Sequence, residues 1–192
     1  MTKRSSLFKQ LTKSYELIWN SKNSIDIDLG SKPYLDPLYA DILKSTEFIK
    51  LFNKKKLCIV DLGAGKGSRL VSKFIEFSPN IYAVDCFPSF LDINLRYNAK
   101  KILSDVLNTT LPDNFADLVV SAYVATNNPY FQNIDFQSQY ANEILRILKP
   151  GGIFWGEEKD IDKNVFANHG LVQNYSYLNN YYVHYLNKNM NT

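Results

Sequence analysis

Cysteine is scarce. Cys58 and Cys86 are the only two in 192 residues, so neither a disulfide framework nor a cysteine-rich zinc module can be built. Long apolar runs are also missing. The longest are strand-sized, far short of the ~20 residues a membrane helix needs, and residues 1–13 carry charge without the apolar stretch of a signal peptide. Excess charge of one sign is absent, since a formal net charge of +3 is too small to argue for a polyanionic partner. At 45% hydrophobic and 21% charged residues, disordered, collagen-like and coiled-coil chains are excluded. The expectation is a cytoplasmic globular protein, without a membrane partner, built around one main core.

Glycine is sparse too, and its placement is informative. Of the eight, Gly63, Gly65 and Gly67 form one cluster and Gly151, Gly152 and Gly156 another. The elements around them read in order. Leu7, Phe8, Leu11, Tyr15, Ile18 and Trp19 predict a helix over 7–19, followed by a loop over 20–35. Asp36-Pro37 is an N-cap with a first-turn proline, opening a helix to about Phe52. Leu57-Cys58-Ile59-Val60 is an uninterrupted apolar run, as a strand buried on both faces requires.

The glycine turn then leads into a helix to about Phe77, and strands follow over 80–84, 101–103 and 117–122. Helices are expected over 88–98 and 136–148, the latter stopped by Pro150-Gly151-Gly152 with glycine covering its C-terminal end, before a strand opens at 153–155. Such alternation implies parallel strands with right-handed crossovers. Residues 171–177 and 181–186 flank Asn179-Asn180 with the composition of an antiparallel hairpin.

In a doubly wound sheet, ligands bind beyond the carboxyl ends of the strands, where the 63–67 turn should lie. Glycines there permit positive φ and let backbone and ligand meet. A phosphate loop of the form G-x-x-x-x-G-K-[ST] does not occur around Lys66. The dinucleotide pattern G-x-G-x-x-G/A fails at Ser68. What remains, D-x-G-x-G-x-G, sets Asp61 at the turn, where an acid suits an ammonium group better than a pyrophosphate. Opposite charges ~4 Å apart attract by several kcal/mol at an effective dielectric near 20, before desolvation is counted.

Four segments together resemble the class I S-adenosylmethionine-dependent methyltransferases of the small-molecule type. Val60-Asp61-Leu62-Gly63-Ala64-Gly65-Lys66-Gly67 is similar to the first motif of that family, and Val84-Asp85-Cys86-Phe87-Pro88-Ser89-Phe90-Leu91 to the second. The run from Leu111 to Ser121 resembles the fourth-strand motif, and that from Ile144 to Gly152 the helix and turn before strand five. The resemblance covers about residues 36–187. It implies a Rossmann-like, doubly wound, mostly parallel seven-stranded α/β sheet, which the C-terminal antiparallel hairpin finishes, over 36–192; the residues before it, 1–35, read as an N-terminal helix and a lid-like loop. Tyr15, Trp19 and Tyr34 read either as part of that lid or as packing residues.

By the same resemblance the cofactor is S-adenosylmethionine, leaving as S-adenosylhomocysteine. Asp85 would accept both ribose hydroxyls, a task for an acceptor-only group, with a helix N-cap as its alternative role. Cys86 would pack on adenine. Asp105 would receive the adenine amino group, with Val106 supplying a backbone amide; the alternative for Asp105 is a turn-forming aspartate. Asp61 would hold the methionine ammonium, and Gly63, Ala64 and Gly65 would line the methionine portion. Ser121 and the residues after it would face the methyl and the acceptor, with Tyr123 as the candidate catalytic wall.

Asn127-Asn128-Pro129-Tyr130 looks like an N-P-P-Y signature but begins too late after the strand, so it reads as Asn-Pro turn chemistry. Phe87 replaces a customary small residue, and Phe115 stands one position early. Of Tyr123, Glu157, Glu158 and His169, none has the constellation of a general base, and His169 and His184 have no metal-ligand spacing, so no metal is expected. The implied activity is methyl transfer to O, N or C of a small or medium-sized acceptor. Two alternatives stay open: a catalytically silent cofactor-binding partner subunit, and an RNA methyltransferase. Lys3, Arg4, Lys9 and Lys13 are too small a basic cluster to argue for nucleic acid.

Overall fold

The computed structural model describes residues 44, 46–54, 56–65, 78, 80–88, 91, 99–122, 124, 132–158, 162–170, 174–177 and 181–187. The expected helices over 7–19 and 66–77, most of that over 88–98, the lid-like loop of 1–35, Tyr123 and residues 127–130 lie outside these.

The elements run α1 (Thr46–Phe52), β1 (Cys58–Leu62), β2 (Asn80–Asp85), β3 (Lys100–Leu103), β4 (Ala116–Ala122), α2 (Ile134–Ile147), β5 (Leu148–Glu158), α3 (Lys163–Asn168), β6 (Asn174–Tyr177) and β7 (Tyr181–Asn187). They form one sheet in the order β3-β2-β1-β4-β5-β7-β6. β1 to β5 are parallel, and β7 pairs antiparallel with both β5 and β6.

Successive residues of a strand point to opposite faces, and the core is divided accordingly. Ile59, Leu118, Ile153 and Trp155 belong to a first layer with Phe48 and Leu51 of α1. Val60, Val119 and Phe154 belong to a second, with Tyr140, Ile144 and Ile147 of α2 and Phe166 of α3. The Trp155 and Phe48 rings pack edge-on, with centroids 5.4 Å apart at 80°, a contact worth about 0.5–1.5 kcal/mol beyond its area burial.

One expectation is corrected at Lys149-Pro150-Gly151-Gly152. α2 ends at Ile147, and Leu148 is already extended at φ −70 and ψ 133, its N–H reaching the Ile144 carbonyl. β5 starts at Leu148, opposite Ala116, but the next pair is Leu118 with Ile153. The Pro-Gly-Gly segment is therefore a bulge inside the strand rather than the cap of the helix. Gly151 takes φ +73, and a Cβ on Gly152 would stand 2.9 Å from the Lys149 carbonyl oxygen and 3.1 Å from that of Ala116. Close approach of two backbone oxygens is what demands glycine there.

The amino-terminal edge of the sheet is tied by Asp117. Its Oδ2 accepts from the Cys58 N–H at 3.0 Å and from Lys149 Nζ at 2.7 Å, while Oδ1 lies 3.5 Å from Lys54 Nζ. Burial pushes this carboxyl up, but the Lys149 and Cys58 hydrogen bonds with the charges of Lys149 and Lys54 outweigh it and leave it below the ordinary value. A depressed folded-state pKa stabilises above the unfolded value and is lost as pH falls through the folded one. Asp117→Asn should therefore cost about 1 kcal/mol at neutral pH, a figure reduced for solvent screening of the part-exposed lysines. In urea titrations the gap from the parent should close as pH falls through the carboxylate range.

Candidate functional site

The carboxyl ends of β1 and β2 bring two buried acids to one face of the sheet. Asp61 alternates with Val60 and Leu62, which belong to the second layer, so its side chain lies on the first-layer side. Asp61 pairs with Ala83, and Asp85 lies two residues beyond Ala83 on the same strand face. Both are almost wholly buried, Asp61 at 2% exposure and Asp85 at 5%.

The glycine turn is folded back onto β2. The N–H groups of Gly63 and Ala64 both donate to the Val84 carbonyl, at 2.8 and 3.0 Å. Asp85 Oδ2 accepts from the Gly65 N–H at 2.8 Å, and Oδ1 from the Phe87 N–H at 2.9 Å. Burial raises the Asp85 pKa above the ordinary carboxylate value, opposed by the N–H groups of Phe87, Gly65 and Cys86. The Phe87 bond has the i to i+2 pattern of a turn-capping aspartate, and the same carboxylate also reaches across to the glycine turn.

Gly63 and Gly65 both sit at positive φ, +70 and +57. Their surroundings differ. A Cβ on Gly63 would stand 2.3 Å from Val124 Cγ2, so the valine occupies that volume. A Cβ on Gly65 would meet nothing closer than the Gly63 carbonyl oxygen at 4.0 Å. The turn is thus packed at its first glycine and open at its second. Ala64, between them, is buried in the first core layer.

Cys86 is half-buried directly after Asp85. Asp105 is half-buried, and its Oδ1 accepts from the Leu107 N–H at 2.9 Å, which commits one carboxylate oxygen to its own turn. Val106, also half-buried, packs toward the second layer.

Ser121 sends its side chain to the other layer. It pairs with Leu62 and shares its face, and its Oγ lies 2.5 Å from the Tyr140 hydroxyl, with the side chain fully buried. Its hydroxyl therefore points to the layer opposite Asp61 and Asp85, because strand alternation sends it toward α2. His169 is half-buried, its Nδ1–H donating to the Val165 carbonyl of its own helix at 2.7 Å. Cys58, at the far edge of the sheet, has its thiol pushed up by burial to about 11 and is no nucleophile at neutral pH. Among the described residues there is no group of His, Cys, Asp and Glu fit to hold a metal ion, and no helix is long and apolar enough to cross a membrane.

A family described as methyltransferase domain matches residues 60–156, just over half of the chain. That span holds the glycine turn, both acids, β2 to β4 and most of β1 and β5. The chain belongs to the class I S-adenosylmethionine-dependent methyltransferases. Among solved structures, the 1,6-didemethyltoxoflavin-N1-methyltransferase of Burkholderia thailandensis, with 1,6-didemethyltoxoflavin and S-adenosylhomocysteine bound, is similar at 13% identity and TM-score 0.67, over 98% of this chain and 92% of that one. The PH0226 protein of Pyrococcus horikoshii is 15% identical with TM-score 0.62, over 83% and 93%. The 16S rRNA N2 G1207 methyltransferase of T. thermophilus, in complex with AdoMet and guanosine, is 17% identical with TM-score 0.55, over 83% of this chain and 41% of that one. No curated protein matches.

As a methyltransferase of this class, the chain takes S-adenosylmethionine as its cofactor. The donor set fits such a molecule. Two buried carboxylates on one face suit a cation and a pair of hydroxyls, and the open volume at Gly65 is one that a side chain would fill.

Sequence reasoning missed two features. Val124 fills the volume beside Gly63, a contact with no local sequence signal. Arg146 and Glu143 grip the loop between β3 and β4; the only clue is their own i, i+3 spacing on α2.

Proposed function

We propose that this methyltransferase acts in the cytoplasm on a small or medium-sized acceptor, at O, N or C, with its cofactor held across the carboxyl ends of β1 to β4. Asp85 receives the ribose hydroxyls and Asp61 the methionine ammonium. Gly63, Ala64 and Gly65 line the methionine portion. Cys86, Asp105 and Val106 surround the adenine, and Tyr123 forms part of the wall facing the acceptor. The observation that carries this reading is Asp85: a carboxylate 5% exposed, pushed up by burial, and bonded to the backbone of Gly65.

The bound cofactor supplies a methyl group already activated on a sulfonium. The chain's residues then have mainly to align and shield. Asp85 fixes the ribose and Asp61 the amino-acid end of the cofactor with charge-assisted hydrogen bonds, which are stronger than neutral ones. Alignment of two reactants is worth up to roughly 7–11 kcal/mol of barrier. A small net charge argues against a nucleic-acid acceptor.

Calorimetric titration with S-adenosylmethionine and S-adenosylhomocysteine tests the site, and transfer of a tritiated methyl to pools of metabolites and of RNA tests the acceptor. Binding of both ligands with label entering the metabolite pool is the expected result. Label in RNA alone, or RNA affinity that persists at physiological salt, would replace this reading with the RNA one. Binding without any transfer would mark a cofactor-binding partner subunit.

A further inference from the structure

Between β3 and β4 the chain makes a compact loop over 104–115, anchored on two sides. Toward the site, the Ser104 N–H donates to the Asp85 carbonyl at 2.9 Å, and Ser104 Oγ accepts from the Thr110 N–H at 3.2 Å. The Asp105 carboxylate and carbonyl close the next turn on Leu107 and Asn108. From behind, Glu143 Oε1 accepts from both the N–H and the hydroxyl of Thr109, at 2.8 and 2.6 Å.

Arg146 completes the grip. Nε donates to Glu143 Oε2 at 2.9 Å, one terminal nitrogen to the Leu111 carbonyl at 2.8 Å and Asp113 Oδ1 at 2.6 Å, and the other to Glu143 Oε1 at 2.6 Å and the Thr109 carbonyl and hydroxyl at 3.2 Å. The acceptors lie on three sides of the guanidinium plane, and every one is either on the loop or on the glutamate that holds it. A planar fork can serve such a set; an ammonium with three donors at one point cannot.

We propose that Arg146, working through Glu143 and Thr109, is a positioning residue that sets Asp105 and Val106 in register with Asp85, so that recognition of the adenine amino group depends on a side chain on the opposite layer of the sheet. This rests on the reading of Asp105 as the adenine-facing acid. The ribose acid and the adenine loop are joined by the Ser104 bond to the Asp85 carbonyl, and the clamp fixes the loop's other end. A clamp that only stabilised the fold would lower the melting temperature and leave ligand discrimination intact in the folded protein.

The test is the affinity ratio between S-adenosylhomocysteine and S-inosylhomocysteine, in which a keto oxygen replaces the amino group, measured by calorimetry well below each variant's melting temperature. Arg146→Lys is expected to cut the ratio about tenfold, the effect of one lost polar contact. Asp113→Ala, which removes one exposed partner of the clamp, should shift the ratio in the same direction by a smaller factor and serves as the readout if Arg146→Lys does not fold. A ratio within about twofold of the parent in the folded variant overturns the clamp, whatever Asp105 does. Asp105→Ala with unchanged affinity and unchanged ratio overturns instead the reading of Asp105, so the two failures are distinct.

Discussion

Asp85→Ala should weaken S-adenosylmethionine binding at least about 100-fold by calorimetry, with a smaller loss for Asp85→Asn. Each hydrogen bond to a charged acceptor is worth roughly 1.5–3 kcal/mol, and two ribose hydroxyls are at stake. Even allowing for non-additivity, about 3 kcal/mol corresponds to more than two decades in Kd. The substitution also removes the acceptor of the Gly65 and Phe87 N–H groups, so the glycine turn loses its tie to β2.

The pH dependence has a definite sign. Burial, only partly offset by backbone donors, raises the folded-state pKa of Asp85. Cofactor affinity should fall as pH drops through that raised value, earlier than an ordinary aspartate would dictate, and Asp85→Asn should flatten the profile. Ligand-free stability runs the other way. Between the unfolded and folded pKa values the native state holds the extra proton, so stability declines as pH rises through that window. Parent-like affinity in the alanine variant would remove the ribose from this position.

Substituting the two glycines of the turn should separate folding from binding. Gly63→Ala places an L-residue at φ +70, a strain of roughly 1–2 kcal/mol, and drives its Cβ to 2.3 Å from Val124 Cγ2. With overpacking added, a loss of about 3 kcal/mol is expected, or roughly 6–12 °C in melting temperature for a chain of this length. Val124→Ala in the same chain should recover part of it. Gly65→Ala bears similar strain at φ +57 but meets open space, so only ~1–2 kcal/mol of stability should be lost. Its cost should appear in cofactor affinity, about tenfold or more. Scanning calorimetry and ligand titration on the same preparations read both quantities. Equal melting losses for the two variants would show that Val124 does not pack as described.

The parts of the fold legible in the sequence are those written locally. A short apolar run signals a buried strand, and β1, β2 and β4 stand within a residue or two of such runs; only β1 is followed by an acid and a glycine turn, and β2 ends in the acid Asp85. The first four motifs lie within the 60–156 span of the methyltransferase-domain match for the same reason. The Lys149-Pro150-Gly151-Gly152 segment was not legible, because helix stop and strand bulge share one composition. Its decision rests with the Ala116 backbone, which Leu148 pairs with and Gly152 approaches.

Ser121 illustrates the same limit in the site. Its position near the carboxyl end of an apolar strand suggests the ligand face, but the face is fixed by register with Leu62 on another strand. The grip of Arg146 on Thr109, Leu111 and Asp113 spans 33 to 37 residues of sequence, beyond the reach of any local pattern.

Val124 seated in the notch left by Gly63 has a practical corollary for protein engineering. The stretch that follows β4 and the turn that follows β1 are keyed to each other like bolt and socket. A chimera that imports a new post-β4 segment must bring residues 63 and 124 as a matched pair. Exchanging one without the other would leave a gap or a clash at the turn that is tied to the Val84 carbonyl.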